Sequence, residues 1–205
     1  MSMNARADLY FVFSECFKEP SVEFAADVAS GTIHQVVMGD FERLKIIVDF
    51  DLSALKLEGE PEAVWGKLKR GYHPLFSVPP HFVLPVESIY KVWSEDGSMA
   101  GAKDMIMGPP ALDMRKRYRA LGVELPKRFK DQPDHIALLL EYGGLLCEAN
   151  DRAAQQDFVA AHFDDWIEQF EEEVRRVAKS DFYRVVTSAA LRFIEHERGY
   201  LKRET

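Results

Sequence analysis

Asp134 and His135 are the two side chains of this sequence whose types and position could do chemistry together. They follow Pro133 directly and open a strongly apolar segment. An imidazole titrates near neutral pH, so beside a carboxylate it could serve acid–base catalysis, bind a ligand, or only start a helix. Proline suits a first helical turn, and Asp134 in that turn would face the positive end of the helix dipole. We therefore expect a helix from about residue 133, with Asp134 and His135 at its N-terminal end.

Catalysis is the weaker interpretation of the pair, because the other groups of an enzyme are missing. Adjacent residues on a helix point about 100° apart, so Asp134 and His135 cannot simply bond each other. The sequence has no nucleophile elbow, no phosphate-binding loop and no His-Glu-x-x-His motif. Cys16 and Cys147 lie in apolar helical patterns, which favours buried free thiols over a disulfide or a zinc site. We expect no catalytic residue, no metal and no cofactor, while a binding role and a purely structural role stay open.

The elements that must position the pair are helices. No glycine or proline stands between Gly144 and Gly199, and apolar residues recur there at three- and four-residue steps. This period predicts helices over about 133–149, 152–178 and 181–199. The first of them is apolar around most of its circumference, which is typical of a central core helix. Gly143 and Gly144 in its middle indicate a close helix crossing or a bend.

The rest of the chain is also predicted to be helical. Periodic apolar stripes indicate helices before Pro20 and over 21–30, 33–50, a stretch from Pro61, and 110–121, and a strand competes only within 41–50. Prolines crowd the middle, between residues 74 and 85, which indicates an ordered apolar loop or a linker. The predicted fold class is all-α, a single helical-bundle-like domain of about 8–10 helices with a proline-rich central loop. It spans residues 1–205, and a subdomain break could fall within 97–131.

Charge and composition limit the partners. The formal net charge of −8 argues against binding to nucleic acid and permits a cationic partner, although solubility alone accounts for it more simply. No apolar run reaches the roughly 18 residues of a membrane helix, and no secretory signal is apparent at the N-terminus. The expected location is therefore cytoplasmic, without stable membrane insertion.

Five short segments in a fixed order carry a family resemblance. They are LPVESIY at 84–90, YRALGV at 118–123, PDH at 133–135, HFDDW at 162–166 and SDFY at 180–183. With them the chain resembles the TorD/DmsD family of redox-enzyme maturation chaperones, to which NarJ-type proteins are more distantly related. The resemblance implies an all-helical, non-catalytic protein. It implies binding of the twin-arginine leader peptide of a molybdenum-cofactor oxidoreductase subunit, which is held in the cytoplasm until the cofactor is inserted.

The same resemblance implies the binding residues and the partners. Asp134 and His135 match the family's signal-peptide-binding pair, and the other expected members of the site are Pro133, Tyr72, Leu75, Phe76, Pro85, Ser88 and Tyr90. The partners are the leader peptide and the catalytic subunit, and the chain is a monomer or a domain-swapped dimer. Burial of about 500 Å² of apolar surface would contribute about 12 kcal/mol before ordering and association costs, which predicts near-micromolar affinity.

Two departures from the family pattern leave the client open. Asp131 and Gln132 precede Pro133, where the family often has Glu-Pro, and Val86 stands where some members have an aromatic residue. A NarJ-like chaperone for a non-exported subunit is one alternative. An acid–base enzyme that uses Asp134 and His135 is another. A nucleotide-dependent switch is disfavoured, because the phosphate-binding loop is missing.

Overall fold

The computed structural model describes residues 4–77, 83–92 and 106–203, and this part of the chain is all-α, as predicted. Its ten helices are α1 (Ala5–Cys16), α2 (Val22–Ser30), α3 (Thr32–Leu44), α4 (Pro61–Tyr72), α5 (Glu87–Tyr90), α6 (Pro109–Ala120), α7 (Ile136–Glu148), α8 (Arg152–His162), α9 (Ile167–Val177) and α10 (Asp181–Lys202). Short 3-10 turns stand at Leu52–Leu55 and Lys127–Phe129, and a π turn, His73–Ser77, extends α4. None of the helices described is long and apolar enough to cross a membrane.

The centre of the core is the crossing of α1 and α7. A Cβ atom on Gly143 would lie 2.5 Å from Cε1 of Tyr10, and one on Gly144 would lie 2.7 Å from Cε1 of Phe11. The Ser14 hydroxyl donates to the Ala137 carbonyl across the same contact, at 2.8 Å. The paired glycines therefore serve a close helix crossing rather than a bend. The prediction of a central core helix is confirmed, since nine of its residues are buried.

The predicted helix over 152–178 is wrong, because two helices occupy that stretch. The chain turns between α8 and α9, where Asp165 has a left-handed φ of 82°. The indole of Trp166 donates to the carbonyl of His162 at 2.6 Å, and this bond closes the end of α8. Phe163 and Trp166 are both fully buried. The apolar stripe continues through the turn because both helices face the same core, so its period hides the break.

The predicted helix over 33–50 is also shorter than expected. α3 ends at Leu44, and Lys45 takes a left-handed φ of 58° as its C-cap. The amide of Ile46 then donates to the carbonyl of Phe41 at 2.8 Å, which is a common way to end a helix. After Leu44 the side chains alternate: Ile46, Val48 and Phe50 pack against the core, whereas Ile47 is 89% exposed. This period of two is not that of a helix.

Two predictions fall partly outside the described residues. The proline-rich loop includes residues 78–82, and the suggested subdomain break includes residues 97–105. The extent of the domain and the position of a break stay predictions.

Candidate functional site

The PDH segment lies just before α7, not inside it. α7 begins at Ile136, and His135 is its N-cap, with Nδ1 accepting from the Ala137 amide at 3.1 Å. The expectation that Asp134 stands in the first helical turn is therefore wrong. The segment instead pairs with residues 85–87: the Ile136 amide donates to the Pro85 carbonyl at 2.9 Å, beside an antiparallel bridge between Val86 and His135.

The Asp134 carboxylate links α5 to the segment before α7 through hydrogen bonds. It is fully buried, and its Oδ2 accepts from the Ser88 amide at 2.8 Å and from the Ser88 hydroxyl at 2.5 Å. Ser88 Oγ in turn accepts from the Gly108 amide at 3.2 Å. Burial raises the pKa of Asp134, while the two bonds from Ser88 act in the opposite direction. Asp134 therefore joins three chain segments.

The His135 imidazole is buried and neutral. Burial lowers its pKa from 6.5 to about 3, and the positive charges of Arg128 and Lys18 contribute to the shift. Because Nδ1 accepts a hydrogen bond, the ring proton resides on Nε2, which has no hydrogen-bond partner among the described residues. The ring packs on Phe129, with centroids 4.9 Å apart. Asp134 and His135 thus point to different neighbours and form no acid–base pair.

His135 opens into a small cleft, which we call the Tyr72–His135 cleft. Its volume is about 220 Å³, and its lining residues are Glu19, Tyr72, Phe76, Ser77, Leu84, Arg128, Phe129, Gln132 and His135. The Tyr72 hydroxyl donates to the Phe17 carbonyl at 3.2 Å, and burial raises its pKa to about 12. Glu19 and Arg128 are exposed at its edge. The cleft is an aromatic pocket with one charge of each sign.

The structure brings three of the nine predicted site residues to this cleft: Tyr72, Phe76 and His135. The other six are buried in the packing around it and do not line it: Pro133, Asp134, Leu75, Pro85, Ser88 and Tyr90. Tyr90, for example, stacks on Trp166 at 5.5 Å and donates its hydroxyl to Glu173 at 2.9 Å. These six residues could support the walls of a site without touching its ligand.

A partly buried polar network beside the site was missed from the sequence. His162 on α8 bonds Glu87 on α5 at 2.8 Å and Asp113 on α6 at 2.9 Å, and Arg117 pairs with Asp113 at 2.6 Å. Burial raises the pKa of Glu87, although His162 and Lys91 act against the shift. His162 lies 75 residues from Glu87 and 49 residues from Asp113 in the sequence, so no local sequence pattern indicates these hydrogen bonds. The hydrogen bonds of His162 therefore link α5, α6 and α8.

Comparison with known proteins gives consistent matches. The family model described as nitrate reductase delta subunit matches residues 46–172. The chaperone protein TorD of Shewanella pealeana is 23% identical over 97% of this chain and 90% of its own length. TorD of Vibrio parahaemolyticus is 25% identical over 96% of this chain and 94% of its own. A crystal structure of a proposed redox enzyme maturation protein from Archaeoglobus fulgidus shares the fold, with a TM-score of 0.53 and 20% identity over 99% of this chain and 96% of that one.

Proposed function

The chain belongs to the nitrate reductase delta subunit family, and from that premise we propose that it binds the twin-arginine leader peptide of a molybdenum-cofactor oxidoreductase subunit. It is a TorD-type chaperone of redox-enzyme maturation and not an enzyme, as its curated relatives are named chaperones. In the proposed role it holds the subunit in the cytoplasm, assists cofactor insertion and prevents premature export.

The observation that carries the proposal is the Tyr72–His135 cleft. It brings three of the expected leader-binding residues to one opening, beside the exposed carboxylate of Glu19. An arginine of the leader can pair with that carboxylate and stack on an aromatic ring. The neutral His135 offers its Nε2 proton to a peptide carbonyl, because Nδ1 is already engaged by the Ala137 amide. Glu19, the aromatic rings and His135 thus each have a matching group on a basic peptide.

The size of the cleft limits its affinity. A volume of about 220 Å³ lies below the range of roughly 300–1,000 Å³ that holds a whole small ligand, so the cleft accepts one or two side chains. Ordering a flexible peptide also costs free energy. We therefore expect a near-micromolar complex that releases its client once the cofactor is in place.

A calorimetric titration with twin-arginine leader peptides of the same genome tests the proposal. Gln132→Trp places a large side chain in the cleft and should weaken leader binding at least about tenfold. Gln169→Trp, on the exposed side of α9, is the matched control and should bind as the wild type does. Failure of every such leader to bind the wild type would exclude the proposal.

The NarJ-like alternative has its own signature. A chaperone of a non-exported subunit would bind the N-terminal peptide of that subunit and none of the twin-arginine leaders. The acid–base enzyme predicts that both side chains converge in one pocket. Their divergence, with Asp134 bonded to Ser88 and His135 capping α7, argues against it.

A further inference from the structure

A second concave surface, between α1 and α3, lies outside the site described above. Two adjoining hollows of about 280 and 370 Å³ share Phe11, Val12 and Val36 as their floor, and Phe24 and Ile33 extend it toward α2. Phe11, Val12 and Val36 are half-buried, so their apolar surface remains open to a partner. We call this surface the acid-rimmed groove.

The charged residues around the floor are nearly all acidic. Five carboxylates line the groove, those of Asp8, Glu15, Glu23, Asp27 and Asp40, and among the lining residues Arg43 is the single base. Arg43 is bonded to the buried Asp40 at 2.9 Å, and Lys18, outside the lining, is bonded to Glu15 at 2.7 Å. Glu15, Glu23 and Asp27 are exposed. An apolar floor inside such a rim complements a partner that is both apolar and basic.

Gly39 leaves part of this surface without a side chain. It lies inside α3 and lines the groove, and no described atom would come within 4 Å of a Cβ atom at this position. A glycine inside a helix costs roughly 1 kcal/mol relative to alanine. The glycines of the α1–α7 crossing are explained by Tyr10 and Phe11, but Gly39 has no such contact within the described part of the chain. The open space allows the backbone of a partner to approach α3 closely at Gly39.

The groove lies next to the cleft along the chain. Glu15 and Ser21 line the groove, and Glu19 between them lines the cleft. Two residues of chain span at most about 7 Å, so Glu19 and Ser21 stand close together. The groove runs along α1 from Asp8 to Glu15, which is about 10 Å or two helical turns.

We propose that the acid-rimmed groove docks a basic amphipathic helical segment of the client, about two turns long. The inference rests on the proposed function, because it takes the client to be a subunit with a basic, apolar leader. The apolar face of the segment packs on Val12 and Val36 and closes over Gly39, while its basic residues face the carboxylates of the rim. The cleft then binds one or two side chains of the client, and the groove provides the larger contact area that the cleft lacks.

A second copy of this chain is a poorer occupant. A symmetric dimer through the groove would bring two acidic rims together, and like charges across an interface are unfavourable. Sedimentation of the wild type and of Gly39→Gln decides the matter. A wild-type dimer that becomes monomeric in this variant would assign the groove to self-association and overturn the proposal.

Fluorescence anisotropy tests the groove with a labelled synthetic helix of leucine and lysine, about five turns long. Gly39→Gln fills the groove with a helix-favouring side chain, and Glu23→Lys with Asp27→Lys reverses part of the rim. Each should weaken binding about tenfold, and the rim variant should also lose most of its salt dependence. The same helix with glutamate in place of every lysine should not bind.

Matched controls separate docking from general attraction to an acidic protein. Gly66→Gln replaces another helical glycine, where a Cβ atom would meet only the Nη1 end of Arg70 at 3.4 Å. Glu148→Lys with Glu172→Lys makes the same charge change at exposed positions on α7 and α9. Both controls should bind the probe as the wild type does. Equal loss in the groove variants and the controls, or no loss in either, would overturn the proposal.

The two proposals can fail separately. Gln132→Trp in the cleft should leave probe binding unchanged. Loss of the leader but not of the probe in that variant supports both proposals. If the leader binds the wild type and Gly39→Gln equally well, the groove is excluded as its docking surface while the proposed function stands. If no leader binds the wild type at all, the proposed function fails whatever the probe does.

Discussion

His135→Asn should remove a specific part of the acid sensitivity of this fold. Asparagine is a good N-cap, so it can accept the hydrogen bond of the Ala137 amide that His135 Nδ1 accepts in the wild type. It does not titrate, whereas burial lowers the pKa of His135 from 6.5 to about 3. The variant therefore keeps the cap and removes the proton linkage.

The size of the effect follows from the pKa shift. Above the unfolded pKa both states carry a neutral ring, so the stability is fully present. Below pH 6.5 the unfolded chain binds a proton at His135 that the folded chain does not bind. The free energy of unfolding therefore decreases as the pH falls, until the pH reaches the folded pKa of about 3. At about pH 5, roughly 1.5 units below 6.5, the loss is about 2 kcal/mol at 1.36 kcal/mol per unit.

Urea denaturation of the two proteins at about pH 7.5 and pH 5 measures this loss. Asp134 and Glu87 have raised pKa values, so they add stability as the pH falls, with the opposite sign. Both residues remain in the variant, and their contribution cancels in the difference between the two proteins. We expect the wild type to lose about 2 kcal/mol more than His135→Asn. Equal losses would refute the assignment of a buried, neutral imidazole.

Further substitutions at three places in the fold test the packing that supports the site, each by urea denaturation. Gly143→Ala should destabilise the fold by about 1–3 kcal/mol, because its Cβ atom would meet Tyr10, and an unchanged midpoint would contradict the close crossing. Arg6→Met should cost about 3–5 kcal/mol, since it leaves the fully buried Glu197 carboxylate without the Arg6 bonds at 2.6 and 2.7 Å. Adding Glu197→Met should recover most of that loss, and no recovery would exclude the buried ion pair as its cause. Asp165→Gly should stabilise by about 1 kcal/mol by relieving the left-handed backbone, whereas Asp165→Val should destabilise.

Helix content and the core were predictable because they depend on local periodicity. The apolar circumference of α7 predicted its central position correctly. Its paired glycines left a close crossing and a bend open, and the structure shows the crossing with α1. Helix ends were less predictable. The break at Asp165 depends on the hydrogen bond from the Trp166 indole to the His162 carbonyl. The spacing of apolar residues gives no indication of that bond.

The geometry of the site could not be predicted from the order of its residues. Asp134 and His135 are neighbours in sequence, yet one bonds Ser88 and the other caps α7. The reason is that Pro133 and Asp134 form a turn, closed by the bond from the His135 amide to the Gln132 carbonyl at 3.1 Å, instead of a helix. The role of Asp134 could be predicted only from the pairing of residues 85–88 with the PDH segment, which the sequence does not show. The network of His162 likewise joins residues that are far apart in the chain.

The central claim is that leader binding in the Tyr72–His135 cleft supports maturation of the client. The most direct measurement is the molybdenum-cofactor content of the oxidoreductase whose leader the chain binds, in cells that lack the chain. We predict that cofactor content falls without the chain, returns with the wild type or Gln169→Trp, and stays low with Gln132→Trp at equal protein level. Full cofactor loading without the chain, or with Gln132→Trp, would contradict the account.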